Sequence, residues 1–73
     1  TKAVIAVDLG GMPCNMDRLR EICDKHHISL ITDGSHAHVS TWRGKSTASV
    51  ADVGAYSCMP GKTFVAGEAG IVV

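Results

Sequence analysis

Two short strand-like segments around one amphipathic stretch constrain the fold of this chain more than any other feature. Residues 3–7 form a continuous apolar run, and residues 28–32 form a second, mainly apolar segment. A continuous run such as residues 3–7 is typical of a strand that is buried on both faces of a parallel sheet. Between them, apolar residues recur at helical spacing behind Asn15, the expected N-cap, with Glu21 and Lys25 as a helix-surface pair. Strand, helix and strand with short connections predict a βαβ unit with two parallel strands.

Two further strands are predicted in the second half of the chain. Residues 53–58 are predicted as a strand that ends before Pro60-Gly61, and residues 70–73 begin another strand after a glycine-rich loop. The stretch 34–49 is polar and irregular, with a short hairpin or loop at 42–45. Because no repeat, linker or domain boundary is visible, we expect residues 1–73 to be a single fragment of an α/β domain. Its sheet should be mostly parallel and flanked by helices.

Charge and cysteine content exclude several classes of protein. Seven Lys and Arg balance seven Asp and Glu, so the net charge is zero and no basic stripe is available for nucleic acid. No apolar run approaches the length of a membrane span. The three cysteines lack the spacing of a disulfide framework, which favours reduced thiols and a cytoplasmic location.

Asp33 and the loop at 57–62 are the strongest candidates for chemistry. Both follow predicted parallel strands, and ligands of open α/β sheets bind at the carboxyl ends of such strands. A carboxylate and the amine of Lys62 are the two protein groups that pyridoxal phosphate requires. The alternative is that Asp33 caps a helix and Lys62 is a solvated surface lysine.

Two other types of site fit the residues less well. Residues 61–63 read G-K-T, like the end of a phosphate-binding P-loop, but Tyr56 stands where that loop requires glycine. Histidines and cysteines could form a zinc-binding module, but no CxxC or HxxxH spacing occurs and we expect no metal site. Packing on the apolar helix face explains His26 better than metal binding does, and a position in the turn after the helix explains His27 better.

The order and spacing of four motifs resemble those of one enzyme family. The motifs are T-D-G-S-H-A-H at 32–38, D-V-G-A-Y-S at 52–57, P-G-K-T at 60–63 and G-E-A-G at 67–70. P-C-N-M-D at 13–17 also resembles the family's segment before the helix, so the resemblance covers nearly the whole chain. The family is that of the DegT/DnrJ/EryC1/StrS sugar aminotransferases. The resemblance implies that residues 1–73 are a central fragment of the large, cofactor-binding domain of a pyridoxal-phosphate enzyme of fold type I, with the last strand antiparallel.

The resemblance also implies a role for each of four residues. Lys62 would be the Schiff-base lysine, which is displaced by the amino donor and then carries the proton. Asp33 would keep the pyridine nitrogen of the cofactor protonated, so that the ring accepts electrons. His36 would contact the phenolic oxygen of pyridoxal phosphate, and Ser57 would bind its phosphate. The family's other phosphate ligands would lie upstream of this chain.

The implied reaction transfers an amino group from glutamate or glutamine to a keto sugar, often one linked to a nucleotide. By analogy the enzyme would be a homodimer, and the isolated chain would be inactive. Lys62 favours transamination over the dehydrase-like alternative, because related dehydrases carry histidine at that position. An inactive interaction module is the other alternative. The chain departs from the family pattern at five places: Thr32 for Glu, Gly34 for Ala, Cys58 for Phe, Thr63-Phe64 for Asn-Leu, and Ala69 for Gly.

Overall fold

A four-stranded sheet with one α-helix organises the chain. The computed structural model describes all of residues 1–73. Its elements are β1 (Ala3–Val7), α1 (Met16–His26), β2 (Ser29–Asp33), β3 (Thr41–Trp42), β4 (Lys45–Ser46), β5 (Val53–Ser57) and β6 (Gly70–Val72). The sheet has the order β1-β2-β5-β6, and β3 and β4 form a separate two-stranded hairpin. The prediction of an α/β fold with a mostly parallel sheet is confirmed.

Strand register places the candidate residues at one edge of the sheet. β1, β2 and β5 are parallel, and Asp33 pairs with Val7 on one side and with Ala55 on the other. β6 runs antiparallel to β5, with Ser57 opposite Gly70, as the resemblance implied. The carboxyl ends of β2 and β5 therefore lie side by side, and the loop that begins after Ser57 leaves from the same edge as Asp33.

The helix begins where its capping signal predicts. The Oδ1 atom of Asn15 accepts a hydrogen bond from the backbone N–H of Arg18 at 3.0 Å, which satisfies one of the free donors of the first turn. The helix ends at His26, and the C-cap residue His27 adopts a left-handed conformation with φ 53°. The predicted pairing of Glu21 with Lys25 is wrong, because Glu21 instead forms an ion pair with Arg18, three residues earlier, at 2.5 Å.

The hydrophobic core lies between α1 and one face of the sheet. Its fully buried members are Ala6, Met16, Cys23 and Leu30. The prediction that the first strand is buried on both faces is wrong for these 73 residues. Successive side chains of a strand point to opposite faces, and the neighbours of Ala6, Ile5 and Val7, remain 64% and 50% exposed because no element of the chain packs on their side.

Packing of His26 on the apolar helix face is also not observed. His26 is exposed, because it lies in the last turn, beyond the part of the helix that the sheet covers. His27 does cap the end of the helix, as predicted. None of the helices combines the length and hydropathy that a transmembrane span requires.

The segment at 42–45 is a hairpin that is tied to the start of α1. Arg43 and Gly44 have positive φ values of 50° and 80°, as a tight two-residue hairpin turn requires. Trp42 Nε1–H donates to Asp17 Oδ1 at 2.8 Å, and Arg43 Nε–H donates to Asp17 Oδ2 at 2.6 Å. The hydrogen bond from Trp42 lowers the pKa of Asp17 most, and the bond from Arg43 lowers it further. The hairpin is thereby fixed against the first turn of the helix.

Candidate functional site

An open cavity of about 620 Å³ lies at the carboxyl edge of the sheet. Two of the predicted site residues, Asp33 and Ser57, line it. Tyr56 and Glu68 line it as well, and neither was predicted as a site residue. Asp33 reaches the cavity because it ends β2, and Ser57 because it ends β5, so the parallel register accounts for their convergence.

Asp33 is held as an ionised and oriented carboxylate. Its Oδ1 atom accepts hydrogen bonds from the Ser35 hydroxyl at 2.5 Å and from the Ser35 backbone N–H at 3.0 Å. The bond from the Ser35 hydroxyl lowers the pKa of Asp33 most, and the bond from the Ser35 backbone lowers it further, against the opposing effect of burial. His36 and Lys62 also lower this pKa, through smaller electrostatic contributions. No hydrogen bond of the chain uses Oδ2. The predicted alternative, in which Asp33 caps a helix, does not describe this geometry.

Lys62 lies in the loop between β5 and β6. Its backbone N–H donates to the carbonyl of Met59 at 3.1 Å, and the preceding Gly61 has φ 90°, a conformation that favours glycine. The side chain is half-buried, and it forms neither a salt bridge nor a side-chain hydrogen bond. Lys62 does not line the cavity, although its charge acts on Asp33. The amine therefore has no hydrogen-bond or ion-pair partner within the chain, and it acts on the carboxylate only through its charge.

His36 is an exposed side chain whose tautomer is set by the loop after β1. The backbone N–H of Gly10 donates to His36 Nδ1 at 3.2 Å. Because Nδ1 accepts this bond, the neutral ring carries its proton on Nε2 and can donate from there. A Cβ atom at Gly11 would lie 3.1 Å from the His36 carbonyl oxygen, so the two loops approach closely. The Gly10-Gly11 pair was the available sequence signal for this contact.

Ser57 contributes both its hydroxyl and its carbonyl to the local structure. The hydroxyl accepts a long hydrogen bond from the backbone N–H of Met59 at 3.4 Å, which leaves it able to donate to another group. The carbonyl accepts a hydrogen bond from His38 Nε2 at 2.7 Å. His38 was part of the motif at 32–38 but was not predicted as a site residue.

A buried aspartate joins the loop after β1 to β2. Asp8 is 1% exposed; its Oδ1 accepts from the backbone N–H of Cys14 at 3.0 Å, and its Oδ2 accepts from the Thr32 hydroxyl at 3.2 Å. Thr32 immediately precedes Asp33 and is one of the predicted departures from the family pattern. Its hydroxyl thus has a buried polar partner, Asp8. The sequence indicated Asp8 only as the end of a strand, since its partner lies 24 residues away.

The other predicted types of site find little support in the structure. No group of three or more His, Cys, Asp or Glu side chains is gathered to hold a metal ion. Residues 61–63 are not followed by a helix, which a P-loop requires. All three cysteines are free, and Cys58 is buried at the end of β5.

Comparison with known proteins identifies the family. The model of the DegT/DnrJ/EryC1/StrS aminotransferase family matches residues 1–73. This chain belongs to that family. A GDP-perosamine synthase of Vibrio cholerae, one family relative, is 40% identical over 73 residues, which are 100% of this chain and 20% of that protein.

Solved structures of this family share the fold of the chain. An aminotransferase from Psychrobacter cryohalolentis superposes with a TM-score of 0.96 at 38% identity, covering 100% of this chain and 19% of that one. A chain from Streptococcus pneumoniae, solved in a PLP form, superposes with a TM-score of 0.93 at 30% identity, covering 100% and 22%. This chain thus spans about a fifth of the length of the proteins that it matches.

Proposed function

We propose that residues 1–73 are the central part of the large domain of a pyridoxal-phosphate aminotransferase that acts on a keto sugar. The observation that carries this proposal is the carboxylate of Asp33, which is fixed through Oδ1 and free at Oδ2 in the same cavity as Ser57. Membership in the DegT/DnrJ/EryC1/StrS aminotransferase family supports it, as does the similarity to a GDP-perosamine synthase.

The residues of the cavity fit the proposed cofactor. Pyridoxal phosphate, when bound, supplies a protonated pyridine ring that accepts electrons from the reacting carbon. Asp33 is the partner for the ring nitrogen, because a carboxylate with a lowered pKa stays ionised at neutral pH and its Oδ2 has no other partner. A neutral residue at this position would not keep the nitrogen protonated.

Lys62 is the proposed covalent anchor. Its Nζ atom makes no bond within the chain, so forming the anchor breaks no existing ion pair. When it is free of the cofactor, the same Nζ can accept a proton and return it. Lysine rather than histidine at this position supports transamination over the dehydrase-like alternative.

His36 and Ser57 complete the proposed set of cofactor ligands. The Nε2–H of His36 is the donor for the phenolic oxygen, since Gly10 occupies the other ring nitrogen. The hydroxyl of Ser57 is a donor for the phosphate. One hydroxyl does not neutralise a phosphate, so the remaining phosphate ligands belong to parts of the enzyme outside these residues. We expect residues 1–73 alone to be inactive for this reason.

The proposed amino donor is glutamate or glutamine, and the acceptor is a keto sugar, often nucleotide-linked. We also propose a cytoplasmic homodimer, by analogy with the family. An inactive interaction module and a zinc-binding module are the competing functions, and cofactor binding separates both of them from an aminotransferase.

The decisive experiment locates the cofactor on the full-length protein. The purified protein should be yellow with pyridoxal phosphate and, after borohydride reduction, should yield one labelled peptide that contains Lys62. Lys62→Arg should abolish the label and reduce transamination by about 10³-fold or more, since a positioned acid/base group and the covalent anchor are both lost. Lys45→Arg, in the exposed hairpin, is the matched control and should keep the label.

Incubation with glutamate or glutamine and nucleotide-linked keto sugars, followed by mass spectrometry, would identify the donor and acceptor. Label at a lysine other than Lys62, or no bound cofactor in the folded protein, would contradict the proposed function. A stoichiometric zinc content in such a cofactor-free protein would support the binding-module alternative.

A further inference from the structure

His38 joins the segment after β2 to the end of β5 through one short hydrogen bond. Its Nε2 atom lies 2.7 Å from the carbonyl oxygen of Ser57, 19 residues away. A carbonyl oxygen only accepts hydrogen bonds, so Nε2 must carry the proton that makes this contact. The other ring nitrogen, Nδ1, is buried and has no hydrogen-bond partner. The neutral ring is therefore the Nε2–H tautomer.

Two aromatic side chains hold the ring of His38 in place. The ring of Tyr56 lies 5.5 Å away between centroids, at an interplanar angle of 38°, and that of Phe64 lies 5.7 Å away, at 61°. Tyr56 belongs to β5 and Phe64 belongs to the loop that follows it. The orientation of the imidazole is thus set by packing, and Nε2–H is aimed at one backbone atom.

The carbonyl of Ser57 is the point where β5 ends and the loop that carries Lys62 begins. Immediately after it, the backbone of Cys58 bonds to Ala69 at 2.8 Å and to Ala66 at 2.9 Å, which closes the base of the loop. The Ser57 carbonyl and the Cys58 N–H belong to one peptide group, so the bonds to His38 and to Ala69 fix the same peptide plane from two sides. Rotation of that plane would break both bonds and redirect the start of the loop.

We propose that His38 is a positioning residue for the cofactor site, acting through the Ser57 carbonyl on the loop that holds Lys62. The consequence for cofactor binding rests on the function proposed above. The hydrogen bond itself does not, and the two are tested by different measurements. His38 makes no contact with the reacting atoms in this scheme; it sets the geometry of residues that do.

Two substitutions at His38 separate the hydrogen bond from the ring packing. His38→Phe keeps an aromatic ring between Tyr56 and Phe64 but removes the donor, whereas His38→Gln loses the ring but keeps an amide N–H at a similar reach. In the full-length protein, His38→Phe should weaken pyridoxal phosphate affinity about 10-fold, as expected for a lost buried hydrogen bond. His38→Gln should stay within about 3-fold of the parent protein.

Hydrogen exchange of the same variants gives a readout that is independent of cofactor binding. The amide protons of the loop, including those of Lys62 and Ala66, should exchange faster in cofactor-free His38→Phe and close to the parent rate in His38→Gln. Equal loop exchange in the parent and in His38→Phe would overturn the positioning role. Equal loss of affinity in both variants would assign the effect to ring packing and would also overturn it.

Nitrogen-15 NMR of the unaltered protein tests the tautomer even where a variant does not fold. The spectrum should show His38 protonated at Nε2 and unprotonated at Nδ1, and the opposite tautomer would refute the hydrogen bond. A folded parent protein that binds no pyridoxal phosphate would contradict the proposed function alone. The exchange and NMR results would then still decide whether His38 fixes the loop.

Discussion

Replacing Gly34 with alanine tests how closely Tyr56 packs on the strand end that carries Asp33. A Cβ atom added at Gly34 would lie 2.4 Å from Cε1 and 2.8 Å from Cδ1 of the Tyr56 ring, where ordinary contacts begin at 3.4 Å. The backbone of Gly34 cannot easily retreat, because its N–H donates to the carbonyl of Ala55 at 2.8 Å. The ring would therefore have to move by about 1 Å.

That movement has a cost that the contacts of Tyr56 allow us to estimate. Its hydroxyl lies 3.2 Å from Ser46 Oγ, and its ring packs on His38. Overpacking of this kind costs roughly 1–3 kcal/mol, so we expect Gly34→Ala to lower the free energy of unfolding by about 2 kcal/mol. Urea unfolding of the full-length protein, compared with the parent, measures this difference.

The Tyr56→Ala background provides the control for this prediction. Without the ring, Gly34→Ala should be neutral or should stabilise by up to about 1 kcal/mol, because alanine restricts the unfolded chain more than glycine does. The double-mutant cycle should thus show a coupling of about 2 kcal/mol or more between the two positions. The same destabilisation in both backgrounds would refute the steric explanation.

Two further predictions concern the helix cap and the candidate site. Asn15→Ala should lower the free energy of unfolding by about 1 kcal/mol, because the N–H of Arg18 loses its acceptor, while Asn15→Asp should restore stability; a urea midpoint unchanged in Asn15→Ala would contradict this. Ser35→Ala should raise the pKa of Asp33 towards the ordinary value of about 3.9, since the strongest stabilisation of the carboxylate is removed. A lowered folded-state pKa stabilises the protein fully above that ordinary value and less as the pH falls through the folded pKa, so Ser35→Ala should make unfolding less sensitive to acid below about pH 4. Carbon-13 NMR titration of the carboxyl groups measures the pKa, and an unshifted Asp33 would exclude the proposed role of the hydroxyl.

Most elements of the fold could be predicted from the sequence, because their signals are local. The apolar run at 3–7 predicted the bounds of β1, and Asn15 predicted where α1 begins. The bounds of β2 and β5 differ from the predictions by one residue, since periodicity locates a strand better than its last hydrogen bond. Burial was less predictable: the exposure of Ile5 and Val7 depends on what covers the second face of the sheet, and the strand itself carries no information about that.

The contacts that shape the site are long-range, and this is why sequence reasoning missed them. Asp33 and Ser57 could be placed together because parallel strands end at the same edge. The bonds from His38 to Ser57 and from Thr32 to Asp8 span 19 and 24 residues, and no spacing rule relates such positions. Even within the helix, Glu21 has neighbours of opposite charge at both three and four residues, and only the structure shows which one it contacts.

The departure from the family pattern at Gly34 has a physical explanation once Tyr56 is considered. The resemblance to the family implies alanine at this position, yet a methyl group here would overlap the Tyr56 ring. The ring in turn contacts His38, which donates to the carbonyl that precedes the Lys62 loop. The absence of a side chain at Gly34 therefore allows the Tyr56 ring to lie against the end of β2. It follows that alanine at position 34 should be tolerated better where the Tyr56 ring is absent than where it is present.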